Sequence, residues 1–172
     1  MKSPPFKVIF LCNGNSARSI IGEYLLRARG RGRFETYSAG ANPTGQVNPL
    51  AVWVLRRHYD IDATDARSKS WDEFQDRWFD FVITVCDQAR ETCPVWPGHP
   101  IMAHWGSPDP AAFEGPEELK QQVFVSVAAQ LARRIDLFCA LPDEQLLALE
   151  VRQIGEKFKL DRTGPMGEWL IG

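Results

Sequence analysis

Residues 7–19 read KVIFLCNGNSARS, and this stretch decides how the chain is expected to fold. Its apolar, β-branched start is typical of a buried strand, and the Asn-Gly-Asn-Ser that follows is typical of a tight polar loop. From Ala17 onward, apolar residues recur at helical spacing as far as Gly30 and Gly32. The order strand, loop, helix therefore places Cys12 to Ser19 at the N-terminus of a helix.

The rest of the chain continues to alternate between strand and helix patterns. Strands are predicted over residues 34–39, 79–85 and 101–105, and helices from Asn48-Pro49, from the Ser70-x-x-Glu73 capping box, over Pro116 to Phe138, and over about Asp143 to Phe158. This alternation predicts an α/β fold in three layers, with a four-stranded parallel sheet and helices on both faces. We expect a domain over residues 1–140 and a C-terminal helical extension and Gly/Pro-containing tail over 141–172. Apolar residues of the extension could cover the domain or pair with a second copy.

Composition restricts the classes of protein. The chain has 172 residues, 44% of them apolar, and a formal net charge of −2. The length and apolar fraction are enough to bury one core. The net charge leaves no basic surplus of the kind that binds nucleic acid or an anionic membrane. No segment approaches the roughly 20 apolar residues of a membrane span, and the first ten residues lack the features of a signal peptide. We therefore expect a cytoplasmic protein whose four cysteines are reactive, metal-binding or buried rather than disulfide-bonded.

The predicted loop has the spacing Cys-x5-Arg-Ser and consists of Cys12, Asn13, Gly14, Asn15, Ser16, Ala17, Arg18 and Ser19. Backbone N–H groups turned inward at a helix N-terminus hold a tetrahedral oxyanion without a metal or cofactor, and Arg18 can grip two of its oxygens. The same field is predicted to lower the pKa of Cys12 and make it a nucleophile. Gly14 is predicted to adopt a backbone angle that other residues avoid. A bare Cys-x5-Arg match would also suit a buried cysteine before an ordinary turn, but the strand and helix around it favour the functional interpretation.

Two further cysteines are candidates for the same site. Cys86 follows the most apolar predicted strand, so it is expected at the sheet edge where Cys12 lies and where ligands of open α/β sheets bind. Cys93 ends a polar segment that we expect to be a mobile loop. The simpler alternatives are an inert core thiol for Cys86 and a chance surface thiol for Cys93. A metal site formed with His99 and His104 fits no zinc spacing, and no metal is predicted.

Asp109 and Cys139 are interpreted from their neighbours in the sequence. Asp109 stands between two prolines, which stiffen the loop, so its carboxyl group could protonate a leaving oxygen. An ordinary turn aspartate would suit the same position. Cys139 lies on the apolar side of the last long predicted helix and is most simply a core residue.

The chain resembles the thioredoxin-coupled arsenate reductases, which share the fold of the low-molecular-weight tyrosine phosphatases. The resemblance covers approximately residues 6–138 and rests on these segments: VIFLCNGNSARS at 8–19, YSAG at 37–40, VNPLAV at 47–52, RSKS at 67–70, DFVITVCD at 80–87 and WGSPDPA at 105–111. It implies Cys12 as nucleophile, Arg18 as oxyanion clamp, Asp109 as general acid, and Cys86 with Cys93 as a redox relay. It further implies arsenate as substrate and thioredoxin as the partner that reduces the relay.

Other interpretations remain open at this point. The same loop and acid serve phosphatases, although tyrosine phosphatases of this fold typically follow Asp-Pro with an aromatic residue, where this chain has Ala111 and Ala112. A non-catalytic oxyanion-binding module would need the loop without the relay. A glutaredoxin or a small thiol could replace thioredoxin. The resemblance also implies a potassium site near positions such as Asn15, Glu23 and Ser38, but its remaining ligand is not identifiable in the sequence.

Overall fold

The computed structural model describes residues 3–160. Its strands are β1 Phe6–Cys12, β2 Phe34–Gly40, β3 Phe81–Thr84 and β4 Ile101–His104. Its α-helices are α1 Arg18–Arg29, α2 Pro49–Tyr59, α3 Asp87–Thr92, α4 Glu117–Ala140 and α5 Ala148–Ile154. Within these residues, no helix is both long enough and apolar enough to cross a membrane.

The four strands form one parallel sheet in the order β2-β1-β3-β4. Cys12 pairs with Gly40, and Thr84 pairs with both Leu11 and His104, so the carboxyl ends of the strands meet at one edge. The central strands are buried on both faces, which explains why their sequences are continuously apolar instead of alternating. The predicted α/β fold with a four-stranded parallel sheet is confirmed.

Helices cover one face of the sheet, and aromatic side chains pack on the other. Thr36 and Ser38 of β2 point to one face, where their side chains bond Arg27 and Glu23 of α1, and α4 packs against α1 and α2. Tyr37 points to the opposite face. There it packs against the rings of Phe74 and Phe79, and Phe79 contacts Trp96.

The helix predicted from Ser70 is wrong. The structure has only a 3-10 helix over Trp71–Phe74. The Ser70 hydroxyl accepts from the N–H of Asp72 at 3.1 Å, and the Glu73 carboxylate binds the Arg67 guanidinium through two hydrogen bonds of 3.0 and 2.8 Å. Because Glu73 is engaged by Arg67, it does not complete the reciprocal capping box that would start a longer helix.

The C-terminal helix is also shorter than predicted. A 3-10 helix spans Asp143–Gln145, the chain leaves helical geometry at Leu146, and α5 begins only at Ala148. Leu146 is buried, and turning its side chain into the core interrupts the helix. Val151 and Ile154 are buried as well, so the described part of the extension covers the domain. The predicted Gly/Pro-containing tail lies outside the described residues from position 161, and the domain division at residue 140 remains a prediction.

Candidate active site

A cleft of about 730 Å³ opens at the carboxyl edge of the sheet. Its walls come from the predicted loop, the ends of β3 and β4, the segment before α4, and the C-terminal extension. The residues that line the cleft include Cys12, Asn13, Gly14, Ser16, Ala17, Arg18, Cys86, Asp87, His104, Gly106, Ser107, Asp109, Ala111, Ala112, Gln130, Gly155, Glu156, Lys159 and Leu160. Four of the five residues predicted as catalytic therefore share one cleft, and only Cys93 does not line it.

The sulfur of Cys12 lies at the end of β1 and is enclosed by the loop. Its Sγ is 2.9 Å from the Ser19 hydroxyl and accepts the backbone N–H of Asn15 at 3.1 Å. Burial raises the pKa of the Cys12 thiol, while the Ser19 hydrogen bond and the charge of Arg18 oppose this rise. Burial thus opposes the lowered pKa predicted for Cys12, and the Ser19 hydrogen bond and the charge of Arg18 are the influences that favour its thiolate.

The unusual backbone angle of the loop belongs to Asn15 rather than to Gly14. Asn15 has a φ of 45°, a left-handed conformation that asparagine tolerates better than most residues. Its amide donates to the Ser19 hydroxyl at 2.7 Å and accepts the backbone N–H of Lys69 at 2.9 Å. Gly14 instead permits a close approach, because an added Cβ would lie 3.2 Å from the Thr44 methyl group.

Arg18 is the first residue of α1 and lies across the mouth of the loop. One guanidinium nitrogen donates to the Ser107 carbonyl at 2.9 Å, and another lies 3.7 Å from the Asp109 carboxylate. The second Asp109 oxygen accepts the N–H of Ala111 at 3.0 Å. Arg18 and Asp109 thus face the cleft together, as an oxyanion clamp and a proton donor for a leaving oxygen would have to.

Cys86 follows β3 and begins α3. Its buried Sγ accepts the backbone N–H of Ala89 at 3.4 Å, so the sulfur serves as the N-cap of the helix. The mobile loop predicted between Cys86 and Cys93 is wrong: six residues, Asp87–Thr92, form α3. Ala89 is buried, and this apolar anchor within an otherwise polar segment holds the turn in place.

Cys93 lies at the far end of α3. It is half-buried, its Sγ accepts the indole N–H of Trp96 at 3.4 Å, and burial raises the pKa of its thiol. Cys93 follows Cys86 by seven positions, which corresponds to about 10 Å along a helix, whereas a disulfide needs Cα atoms within roughly 7 Å. A bond between Cys86 and Cys93 therefore requires α3 to unwind.

Lys69 is a residue of the site that the sequence interpretation missed. Its ammonium group donates to Ser38 at 3.1 Å and to the Arg67 carbonyl at 3.0 Å, and it lies 3.5 Å from the Asn15 side-chain oxygen and 3.8 Å from Glu23. These are the positions that the resemblance associates with potassium. The residues do not fit a bound potassium ion here, because the lysine amine occupies the space among their oxygens.

His104 also borders the relay and was not assigned from sequence. Its ring nitrogens lie 2.8 Å from the Thr84 hydroxyl and 3.0 Å from the Asp87 carboxylate in the first turn of α3. Burial lowers the pKa of His104, and Asp87 opposes this. Among residues 3–160, no group of three or more His, Cys, Asp or Glu side chains could hold a metal. Cys139, predicted as a core residue, is half-buried on α4.

The four-stranded parallel sheet, with a Cys-x5-Arg-Ser loop between β1 and α1, is the arrangement expected of the phosphatase-like enzymes that the sequence resembles. Comparison with known proteins agrees with this assignment. The chain belongs to the low molecular weight phosphotyrosine protein phosphatase family, whose description matches residues 7–146.

Within that family, this chain is similar to proteins that carry the name arsenate reductase. One, from Oceanobacillus iheyensis, is 38% identical over 131 residues, which are 76% of this chain and 93% of that relative. A solved arsenate reductase in a phosphate-binding state is 27% identical, with a TM-score of 0.64 over 78% of this chain and 97% of that chain. A thioredoxin-dependent arsenate reductase from Corynebacterium glutamicum is 27% identical, with a TM-score of 0.55 over 80% of this chain and 65% of that one.

Proposed function

We propose that this protein reduces arsenate to arsenite through the thiols of Cys12, Cys86 and Cys93. The observation that carries the proposal is that two free cysteines, Cys12 and Cys86, line one oxyanion cleft together with Arg18 and Asp109. Hydrolysis of a phosphomonoester needs only the first of these cysteines. A second buried thiol in the cleft supplies the other electron of a two-electron reduction.

The first step places arsenic on Cys12. The thiolate attacks As(V), Arg18 and the loop N–H groups hold the remaining oxygens, and Asp109 donates a proton so that one oxygen leaves as water. Cys86 then attacks the Cys12 sulfur, and the electron pair of the S–As bond passes to arsenic. Arsenite leaves as As(III) with the two electrons that the thiols have lost, and a Cys12–Cys86 disulfide remains.

The next step transfers the oxidation to the surface. Cys93 attacks Cys86, Cys12 leaves as a thiolate, and a Cys86–Cys93 disulfide remains. We propose thioredoxin as the dithiol that reduces this disulfide. The similarity to a thioredoxin-dependent arsenate reductase and the position of Cys93 outside the cleft support this assignment. We also propose that the protein is cytoplasmic, because its four cysteines are free and the cytoplasm keeps thiols reduced.

Arsenite formation with thioredoxin, thioredoxin reductase and NADPH tests the proposal. Wild type is compared with Cys12→Ser, Cys86→Ser and Cys93→Ser, and Cys139→Ser is the matched control because Cys139 does not line the cleft. We expect turnover to fall to background in the first three variants and to persist in the control. Replacing thioredoxin with glutaredoxin or a small thiol in parallel assays identifies the donor.

A contrary result would point to the phosphatase alternative. No arsenite from wild type, with hydrolysis of p-nitrophenyl phosphate that survives Cys86→Ser and Cys93→Ser, would show that the second and third cysteines are bystanders.

A further inference from the structure

The segment that follows residue 146 lies beyond the part of the chain that matches the family, yet it reaches the cleft. Gly155, Glu156, Lys159 and Leu160 line the wall beside the Asp109 loop. The buried Trp105 indole donates to the Val151 carbonyl at 2.9 Å. This hydrogen bond attaches the segment to Trp105, the residue immediately before the active-site loop that begins at Gly106.

Arg134 of α4 fixes this wall to the loop. Its side chain is fully buried and donates to three carbonyls: Gly106 at 2.9 Å, Gly155 at 2.8 Å and Lys157 at 3.0 Å. Burial lowers the pKa of Arg134 to about 10, so the guanidinium stays charged at neutral pH. A buried charge that loses a partner is costly, so these three carbonyls are held in one arrangement.

Gln130, one turn before Arg134, makes a second connection. Its side-chain oxygen accepts the Ser107 hydroxyl, and its amide donates to the Phe158 carbonyl at 3.1 Å. The carbonyl of the same Ser107 accepts the Arg18 guanidinium at 2.9 Å. A continuous chain of hydrogen bonds therefore runs from the C-terminal extension through Gln130 and Ser107 to the oxyanion clamp.

We propose that Gln130 and Arg134 are positioning residues that make the C-terminal extension part of the oxyanion clamp. Arg134 fixes the Gly106 carbonyl and Gln130 fixes the Ser107 hydroxyl, and together they hold in place the Ser107 carbonyl that orients Arg18 before the anion arrives. The proposal rests on the oxyanion-binding role of the loop in the proposed function. Pre-orientation strengthens binding because less side-chain freedom is lost when the anion binds.

The test is a double-mutant cycle on anion affinity, which does not depend on turnover. The dissociation constant of inorganic phosphate is measured on the full-length reduced protein by calorimetry and phosphorus NMR. The proteins are wild type, Gln130→Leu, Arg18→Lys and the double variant. We expect Gln130→Leu to weaken phosphate binding about fivefold relative to wild type. In the Arg18→Lys background, we expect the same substitution to weaken binding less than about twofold. Equal losses in both backgrounds, or no loss in either, would overturn the proposal.

Two further variants keep the result interpretable. Ser107→Ala removes the hydroxyl that Gln130 binds and is expected to weaken phosphate binding as Gln130→Leu does. It therefore tests the same connection if Gln130→Leu folds poorly. Arg152→Met is the matched control, because Arg152 also ties the extension to the domain, through the Met102 carbonyl at 2.9 Å, but does not reach the clamp. A loss in this control as large as that in Gln130→Leu would mean a general structural role and would contradict the proposal.

Hydrogen exchange provides an independent readout. In Gln130→Leu, the amides of Gly106, Ser107 and Asp109 and those of residues 155–160 are expected to exchange faster together, because the connection between them is lost. Faster exchange in the extension alone, with unchanged phosphate affinity, would sink the proposal. If wild type forms no arsenite but the affinity losses are coupled as expected, the proposed function fails and this inference stands.

Discussion

At the scale of single residues, the reactivity of Cys12 depends on a balance between burial and a few polar contacts. Burial raises the pKa of its thiol, and the Ser19 hydroxyl is the strongest opposing influence, followed by the charge of Arg18. The Ser19 oxygen also accepts the Asn15 amide, so it is held in place to donate its own hydrogen to the sulfur. Ser19 is therefore the residue through which the loop most directly favours the thiolate.

Ser19→Ala is expected to move the ionisation of Cys12 to higher pH by about one unit, because a hydrogen bond to a charged group contributes roughly 1.5 kcal/mol. Cys12 is unreactive while protonated, so its alkylation rate rises with pH in both proteins, and the curve of the variant lies at higher pH. Iodoacetamide labelling with peptide mass spectrometry separates Cys12 from the half-buried Cys93. A curve that stays in place or moves to lower pH would contradict the assigned role.

Lys69 supplies a second prediction at this scale. In Lys69→Met, the buried Glu23 carboxylate keeps Arg27 and Ser38 but loses the nearby ammonium group, and we expect the free energy of unfolding to fall by roughly 1–3 kcal/mol. Potassium can then enter among the vacated oxygens, so potassium chloride should restore part of the loss that tetramethylammonium chloride does not. Urea unfolding at equal ionic strength measures both effects. Wild type and Lys157→Met, a control at an exposed position, should each have the same stability in the two salts. A potassium effect in wild type would contradict the interpretation that the Lys69 amine occupies the potassium position.

At the scale of elements, α3 connects the chemistry in the cleft to the surface. The helix has six residues, and isolated helices of that length are unstable in water, so its contacts hold it together. These contacts are the buried Ala89, the cap from Cys86, and the hydrogen bond between Asp87 and His104. We therefore expect α3 to keep Cys86 and Cys93 apart at rest and to open when the proposed Cys86–Cys93 disulfide forms.

Glu91 is exposed on α3 and does not line the cleft, so it can be used to adjust helix stability. Glu91→Gly lowers helix propensity by roughly 0.5–1 kcal/mol and is expected to favour the Cys86–Cys93 disulfide about threefold in a glutathione redox buffer. The measurement uses a background with Cys12→Ser and Cys139→Ser, so that only this pair can react. Glu91→Ala, which preserves the helix, is the control. Indistinguishable redox equilibria would show that α3 does not oppose the disulfide.

At the scale of the whole molecule, the described part of the C-terminal extension packs against the rest of the chain. Gly155 marks its closest approach, since a Cβ added there would lie 2.1 Å from the His104 backbone carbonyl. That distance cannot be relieved by moving a side chain, because the atom it meets is main chain. Adding one methyl group must therefore displace the extension from β4.

Gly155→Ala is expected to lower the free energy of unfolding by about 2 kcal/mol or more, because the overlap forces a backbone shift and disturbs the Arg134 contacts to Gly155 and Lys157. Gln153→Ala, at an exposed position of α5, is the control and should change stability by less than about 0.5 kcal/mol. Urea unfolding monitored by tryptophan fluorescence measures both. Equal stabilities in Gly155→Ala and wild type would mean that the extension is not docked as described.

Much of this organisation could be predicted from sequence because the decisive signals are local. The run at residues 7–19 and the buried strand at 79–85 specify the sheet edge, and therefore the meeting of Cys12 with Cys86. The length of the helix at Ser70 and the order of residues 87–92 could not be predicted, because Arg67 and the buried Ala89 act through the folded structure. Gln130 and Arg134 did leave a signal, since both stand within the apolar stripe of α4, where a polar side chain must find partners.

The cap of α3 by Cys86 has one more consequence. In the proposed relay, the Cys86 sulfur that accepts the Ala89 N–H in the resting protein becomes one half of a disulfide with Cys12, and it must turn toward this new partner. The helix then loses its N-terminal acceptor in the same event that completes the reduction of arsenic. In this mechanism, the redox state of Cys86 therefore sets the stability of the six residues that separate it from Cys93. Cys93 becomes free to move only after Cys12 and Cys86 have reacted.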